Sequence, residues 1–339
     1  MTRILIVGIG ALGGTIATRA INAGIPVWLA TRSTESAEAL RTAGLSLTGI
    51  GGSATANSLQ VAAIEEYRAT DKFDLILLAT KAHAALEVAP LLAELLASNG
   101  TLLPIQNGSV PQILGDQLGR SIVLGGLSNL GATMVEPGVY EQRNAGHILI
   151  GELAGGVSDR VTRVTEALRG GIEIRVTPNL PGSIWAKLLL NCSVTTIGAV
   201  AGQTMRQYLT SSVGQTVFRQ MYDEALSVAL ASGTQPQRMI VEPIPPGWQD
   251  KIVPGQEYNA WVDQIMGTYG DIKPSMLQDF ERGRLTEIDF INGYVSQLGK
   301  KLGVPIAMNE ATTQMVHRIE KGELRPGTER LDELALVPT

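Results

Sequence analysis

Residues 4–24 read ILIVGIGALGGTIATRAINAG, and this stretch decides the fold of the first half of the chain. Ile4 to Val7 is a short β-branched run of the kind found in buried parallel strands. Gly8, Gly10 and Gly13 follow as G-x-G-x-x-G, with Ile9, Ala11 and Leu12 between them, and an amphipathic helix then runs to about Gly24. In that strand–turn–helix context the glycines have separate tasks. Gly8 permits a tight turn, Gly10 lets the backbone approach a pyrophosphate, and Gly13 lets helix and strand pack closely. The helix N-terminus supplies N–H groups and positive potential to phosphate. A glycine-rich turn alone would be weak evidence; its position between a strand and a helix makes a dinucleotide site the expectation.

The next strand is PVWLATR, 26–32, ending about twenty residues after the fingerprint. An NAD site usually carries a carboxylate here for the ribose hydroxyls. Thr31, Arg32 and Ser33 stand there instead, with no acid before Glu35. A guanidinium and hydroxyls suit a 2′-phosphate through charge-assisted bonds, so NADP(H) is expected, with Arg32 as its ligand.

The alternation continues in KFDLILLATKAH (72–83), a helical run from Ala84 to Leu96, and TLLPIQNG (101–108). Lys81 and Asn107 close strands on the side where ligands of doubly wound sheets bind, although each also suits a plain turn. SIVLGGL, GVYEQ, HILIGEL and IEIRV are further strands, expected to complete the sheet, with a helix at 157–168. Beyond TPNLPG (177–182) strand patterns almost cease. Helices are expected at 183–199, 212–231, 259–266, 284–302 and 310–321. The fold class is therefore α/β, with a Rossmann-type doubly wound domain at 1–178 and an all-helical domain at 179–339 for substrate and catalysis. Residues 234–256 contain five prolines and form a long loop, either a surface excursion or a lid bringing Trp248 to a substrate. The polar tail 323–339 carries no chemistry.

Composition narrows the function. At 339 residues, 44% hydrophobic and 17% charged, the chain is an ordinary two-domain globular protein. Its formal net charge of -5 offers no field for nucleic acid or anionic lipid. Cys192 is the lone cysteine and His83, His147 and His317 are scattered, so neither a disulfide nor a metal site is expected. No uninterrupted apolar run reaches the roughly 18 to 20 residues of a membrane helix. A cytoplasmic protein is expected.

WAKLLLNCSVTT, 185–196, opens the helical half with Lys187, Asn191 and Thr195 at steps of four. Each step advances about 40° around a helix, giving one narrow polar stripe on an apolar element. Lys187 alone would be read as snorkelling to water. The stripe, beginning where a cleft between domains should lie, points instead to a polar substrate. A ketone accepting hydride at carbon builds negative charge on oxygen, which an ammonium stabilises and protonates. Later, KPSMLQDFERGRLTEIDFINGY (273–294) offers Ser275 as an N-cap, with Gln278 completing a capping box, and Glu287 and Asp289 early in a helix. Each acid has a plain reading as dipole-favoured or surface-exposed.

GIGALGG, IQNG, WAKLLLN and SMLQD with GRLTEIDFING, in that order, carry a resemblance to the ketopantoate reductases (2-dehydropantoate 2-reductases) nearly end to end. The resemblance implies reduction of 2-dehydropantoate to (R)-pantoate with NADPH, towards pantothenate and coenzyme A. It makes Lys187 the general acid and Asn191 and Ser275 substrate ligands. Asn107 would touch nicotinamide and substrate, Lys81 the cofactor, and Glu287 the junction of the two. It also admits a homodimer. The β-hydroxyacid dehydrogenases share the glycine-rich start and a Lys-x-x-x-Asn helix, but not SMLQD with TEID. Two departures, Thr195 where the family often has Asn and the long proline-rich stretch, leave another 2-oxo acid or related carbonyl as the alternative substrate.

Overall fold

The structure, a computed structural model, describes residues 2–250 and 255–338. It divides into two compact units, Met1–Leu180 and Pro181–Thr339, so the division falls just C-terminal of Pro178.

In the first unit, five parallel strands stand in the order Gln60–Ala63, Val27–Thr31, Ile4–Val7, Phe73–Leu78, Leu96–Pro104. The single parallel bridge Leu102–Val123 continues the same direction. The order reverses between Ile4–Val7 and Phe73–Leu78, the switch point beside which ligands of such sheets bind. Strand Ile4–Val7 is buried along its whole length, as expected for a central strand covered on both faces.

One expectation is corrected here. The strands of residues 121–176 do not complete the main sheet. Val139–Gln142 joins Ala132–Glu136, Leu45–Gly49 and Ala54–Ala56 in a four-stranded sheet, while Gly125–Ser128, Ile148–Gly151 and Ile174–Val176 form a three-stranded one. Helix Ala11–Asn22 packs on strands of both larger sheets, which buries Gly13 through Thr18 and Ala20. Strands 45–49, 54–56 and 60–63 escape a reading by apolar runs because they are short and rich in Ala, Ser and Thr.

The second unit is helical around its own apolar core, which includes Leu188, Leu189, Val217, Phe218, Met221, Val295 and Val316. Its first helix is interrupted: α-helical Leu180–Leu190 passes through a π turn, Asn191–Thr195, into Thr196–Ala201. Taken with its polar interruptions, Leu180–Ala201 has a membrane span's length and a mean hydropathy of 1.4 in its most apolar window. Yet 83% of that window is buried inside the protein. Residues 284–291 are not helical as expected. A 3-10 turn, Ile288–Phe290, precedes helix Asn292–Leu302, so Glu287 lies in a loop. Residues 234–250 form no helix or strand, and 251–254 of the expected proline-rich loop lie outside the described residues.

Candidate active site

The dinucleotide loop of the first unit is built by close approach. Gly8 has φ +91°, a conformation L side chains rarely adopt. A Cβ on Gly13 would lie 1.9 Å from the Gly8 carbonyl oxygen, so helix and strand tolerate nothing larger there. A Cβ on Gly10 would meet no atom within 4 Å. The space in front of Gly10 is therefore open, as an approaching pyrophosphate requires. Ile9, Ala11 and Leu12 complete this turn, and the helix N-terminus Ala11–Asn22 rises from it.

Two residues that hold this region were not singled out from sequence. The Tyr140 hydroxyl donates to the Ile9 carbonyl oxygen at 3.0 Å. Its ring occupies the space that Gly14 leaves, a Cβ there falling 2.0 Å from Cζ. Burial pushes the Tyr140 phenol up to about 12, which keeps it a donor. The doubled glycine of ALGG was the only signal. Gln106 is the second: its Nε2 donates to the carbonyls of Leu78 and Thr80, both at 3.0 Å. That amide ties together the ends of strands Phe73–Leu78 and Leu96–Pro104 and so fixes where Asn107 follows. Asn107 is half-buried before Gly108, which has φ +72°. Lys81 is exposed at the N-cap of helix Ala82–Leu95. Arg32 is exposed just after strand Val27–Thr31, beside Ser33, whose hydroxyl accepts from the Ser36 N–H as helix cap.

In the second unit Lys187 sits on helix Leu180–Leu190 between Ala186 and Leu188, both buried. The residue keeps partial exposure, but burial of its ammonium draws the pKa down to about 8, opposed by the nearby Glu287 carboxylate, which raises it. The structure thus couples two residues a hundred positions apart in sequence. Asn191, one turn beyond Lys187, is 8% exposed.

The regular α-helix ends just before Asn191, at Leu190. The next turn is a π turn, in which i→i+5 bonding displaces the following residues. The Thr195 hydroxyl donates back to the Asn191 carbonyl at 3.0 Å. Backbone carbonyls near the π turn still find partners: the Tyr208 hydroxyl lies 3.3 Å from the Ser193 oxygen and 3.5 Å from that of Val194. Such turns recur at functional sites, but no residue spacing in WAKLLLNCSVTT announces one.

Ser275 is the first residue of helix Ser275–Glu281 and not its cap. Pro274 takes the cap position, and no capping box with Gln278 forms. Pro274 instead seats this helix against Thr196–Ala201, where a Cβ on Gly198 would come within 2.9 Å of the proline ring. Ser275 is exposed next to that contact. Trp248 is half-buried, and its side chain bonds Asp223 on helix Ser212–Ala231, whose carboxyl burial pushes up to about 6.

A doubly wound unit with an open glycine loop, followed by a helical unit pairing a buried ammonium with a carboxylate, defines a dinucleotide-dependent oxidoreductase. Comparison with known proteins makes the class specific. The description "Ketopantoate reductase PanE/ApbA" matches residues 4–155, and its C-terminal counterpart matches residues 179–320. The chain belongs to the ketopantoate reductase family, whose members use NADPH. A 2-dehydropantoate 2-reductase of Archaeoglobus fulgidus is 28% identical over 94% of this chain and 98% of its own length. Among solved structures, 2-dehydropantoate 2-reductase from Geobacter metallireducens is similar with a TM-score of 0.75 and 26% identity, covering 93% of this chain and 99% of its own. D-mandelate dehydrogenase with NADH and anilino(oxo)acetate has a TM-score of 0.79 at 22% identity, over 95% and 99% of the two chains. At that identity the likeness concerns the fold.

Proposed function

We propose that this protein reduces 2-dehydropantoate to (R)-pantoate with NADPH, on the way to pantothenate and coenzyme A. The observation that carries the reading is the Lys187 ammonium, drawn down to about 8 by burial and coupled to the Glu287 carboxylate. A general acid works best with a pKa near the operating pH, and this amine is charged but ready to release its proton. Bound NADPH supplies the hydride to the C2 carbon of the substrate. Electrons of the carbonyl double bond then move to oxygen, and Lys187 Nζ stabilises that charge and donates its proton, leaving as a neutral amine. Glu287 keeps the amine charged until that moment and orients it.

Asn191 and Ser275 are assigned to the polar groups of the substrate, and Asn107 to both substrate and nicotinamide. Thr195 already spends its proton on the Asn191 carbonyl. Only its oxygen lone pairs remain, so it receives a substrate hydroxyl. Gly8 through Gly13 cradle the pyrophosphate, Lys81 contacts the cofactor, and Arg32 takes the 2′-phosphate. Arg32→Ala should therefore weaken NADPH about 10- to 100-fold, the worth of a charge-assisted contact, and leave NADH nearly unchanged. Titration of both cofactors by fluorescence checks this. A wild-type preference of tenfold or more for NADH would remove Arg32 from the role.

Substrate identity is tested by NADPH oxidation with ketopantoate and a panel of 2-oxo acids. The expected result is the largest kcat/KM for ketopantoate. One observation favours a second reading, a related reductase for another 2-oxo acid: the π turn leaves Thr195 short and turned back where the family often has Asn. A far larger kcat/KM for another acid would establish that reading instead.

A further inference from the structure

Glu287 reaches its place without a helix to hold it. The segment before it turns at Gly283, with φ +61°, and runs through exposed Arg284 and Leu285. A long carboxylate side chain on such a loop loses positional precision unless its backbone is fixed from outside. Helix Ala307–Glu320 supplies the fixing. Glu320 Oε1 accepts the Thr286 backbone N–H at 2.7 Å, immediately before Glu287. His317 Nε2 lies 3.0 Å from Asp289 Oδ1, two residues after it. Positions 317 and 320 are three apart, hence on one face of the helix. Beneath the loop, Ile288 and Phe290 are 1% and 5% exposed, and the Phe290 N–H closes the turn onto the Glu287 carbonyl at 3.0 Å.

The helix that provides these ties is itself anchored at its far end. Glu224 accepts the N–H groups of Met308 and Asn309 at 3.1 and 2.7 Å. A carboxylate there satisfies otherwise orphaned donors and complements the helix dipole. Helix Ala307–Glu320 is therefore a fixed bar, with its last turn clamping the loop on both sides of Glu287.

We propose that Glu320 and His317 are positioning residues that set the Glu287 carboxylate against Lys187, acting through Thr286 and Asp289 and touching neither substrate nor cofactor. The inference rests on the catalytic reading of Lys187 and Glu287. Glu320→Ala removes the acceptor for the Thr286 N–H, whereas Glu320→Gln keeps a carbonyl oxygen in its place. Because Glu287 raises the Lys187 pKa, loosening the clamp should let that pKa fall. A residue that merely added stability would leave it where it is.

The test measures two things on wild type, Glu320→Ala, Glu320→Gln, His317→Ala and Glu287→Gln. One is kcat and KM for ketopantoate against pH; the other is the Lys187 amine titration by side-chain NMR in the protein without cofactor. Glu320→Ala is expected to lose about 10-fold or more in kcat, since small misplacements of catalytic groups reach on the order of 10²-fold. Its alkaline limb and its NMR titration should both move to lower pH, KM should change less than kcat, and Glu320→Gln should restore all three. His317→Ala should show the same direction more weakly, and carries the test if Glu320→Ala does not fold. An unmoved Lys187 titration and unchanged kcat in these variants, with Glu287→Gln impaired, would overturn the clamp alone. A Glu287→Gln protein that behaves as wild type in both measurements would overturn the catalytic reading and the clamp with it.

Discussion

Lys187→Ala is expected to fold, bind NADPH and lose about 10²- to 10³-fold in kcat with ketopantoate, the usual cost of removing one donor to a developing oxyanion. Stability should move the other way. The folded pKa of Lys187 is lowered, to about 8 from an ordinary 10.5, so holding the charged amine costs free energy whenever the amine is protonated in the fold. That cost is full below about pH 8 and disappears as pH rises through the unfolded value. Lys187→Met, which fills the same space without a charge, should therefore be more stable than wild type at pH 7 by on the order of 1–3 kcal/mol. The gap should close between about pH 8 and 10.5. Urea melts at pH 7 and pH 10 measure it. Equal stability at both pH values, or near-normal turnover in Lys187→Ala, would show that the amine is an ordinary solvated lysine.

The second large effect separates two glycines of one motif. Gly13→Ala places a methyl 1.9 Å from the Gly8 carbonyl oxygen, a backbone atom that cannot yield without parting helix from strand. Such overpacking costs typically 1–3 kcal/mol, occasionally more, and against backbone the upper part of that range is expected, so the first unit should lose much of its stability. Gly10→Ala meets nothing within 4 Å in the protein, so its melting temperature should stay close to wild type. Its methyl projects into the open space assigned to pyrophosphate, so NADPH affinity should fall by at least about tenfold, or 1.4 kcal/mol. Thermal melts with and without NADPH distinguish the pair: Gly13→Ala is destabilised alone, while Gly10→Ala loses mainly the stabilisation that the cofactor confers. If Gly10→Ala binds NADPH as wild type does, the pyrophosphate does not lie against that turn.

The parts of the molecule that were legible in its sequence are those in which local chemistry and tertiary role agree. Ile4–Val7 is buried on both faces, and its composition says so. Gly8 and Gly13 are required by backbone conformation and close packing, which leave a mark in spacing. The π turn at 191–195 leaves no such mark, because a single displaced residue is decided by how the helix packs and by partners such as Tyr208. The stripe is read on a uniform helix, whereas the helix gives way to a π turn at Asn191–Thr195. Glu287 is harder still. Its neighbours Ile288, Phe290 and Ile291 suggest a continuous helix, yet the loop around it is fixed by residues some thirty positions later, Glu320 among them. Reading Ser275 as a cap failed because Pro274, with its fixed φ, already occupies that position. The strands at 125–128, 139–142, 148–151 and 174–176 are legible as strands, but not their separate sheets, because pairing depends on partners distant in sequence. Short strands such as 45–49 and 54–56 leave no apolar run to read.

The central claim is that the Lys187 amine meets the oxygen of the carbonyl being reduced. A crystal structure of the protein with NADP+ and pantoate tests it most directly. The account predicts Lys187 Nζ within about 2.6–3.2 Å of the C2 oxygen, with Glu287 beside the amine. An amine directed away from that oxygen while both ligands are bound would contradict it.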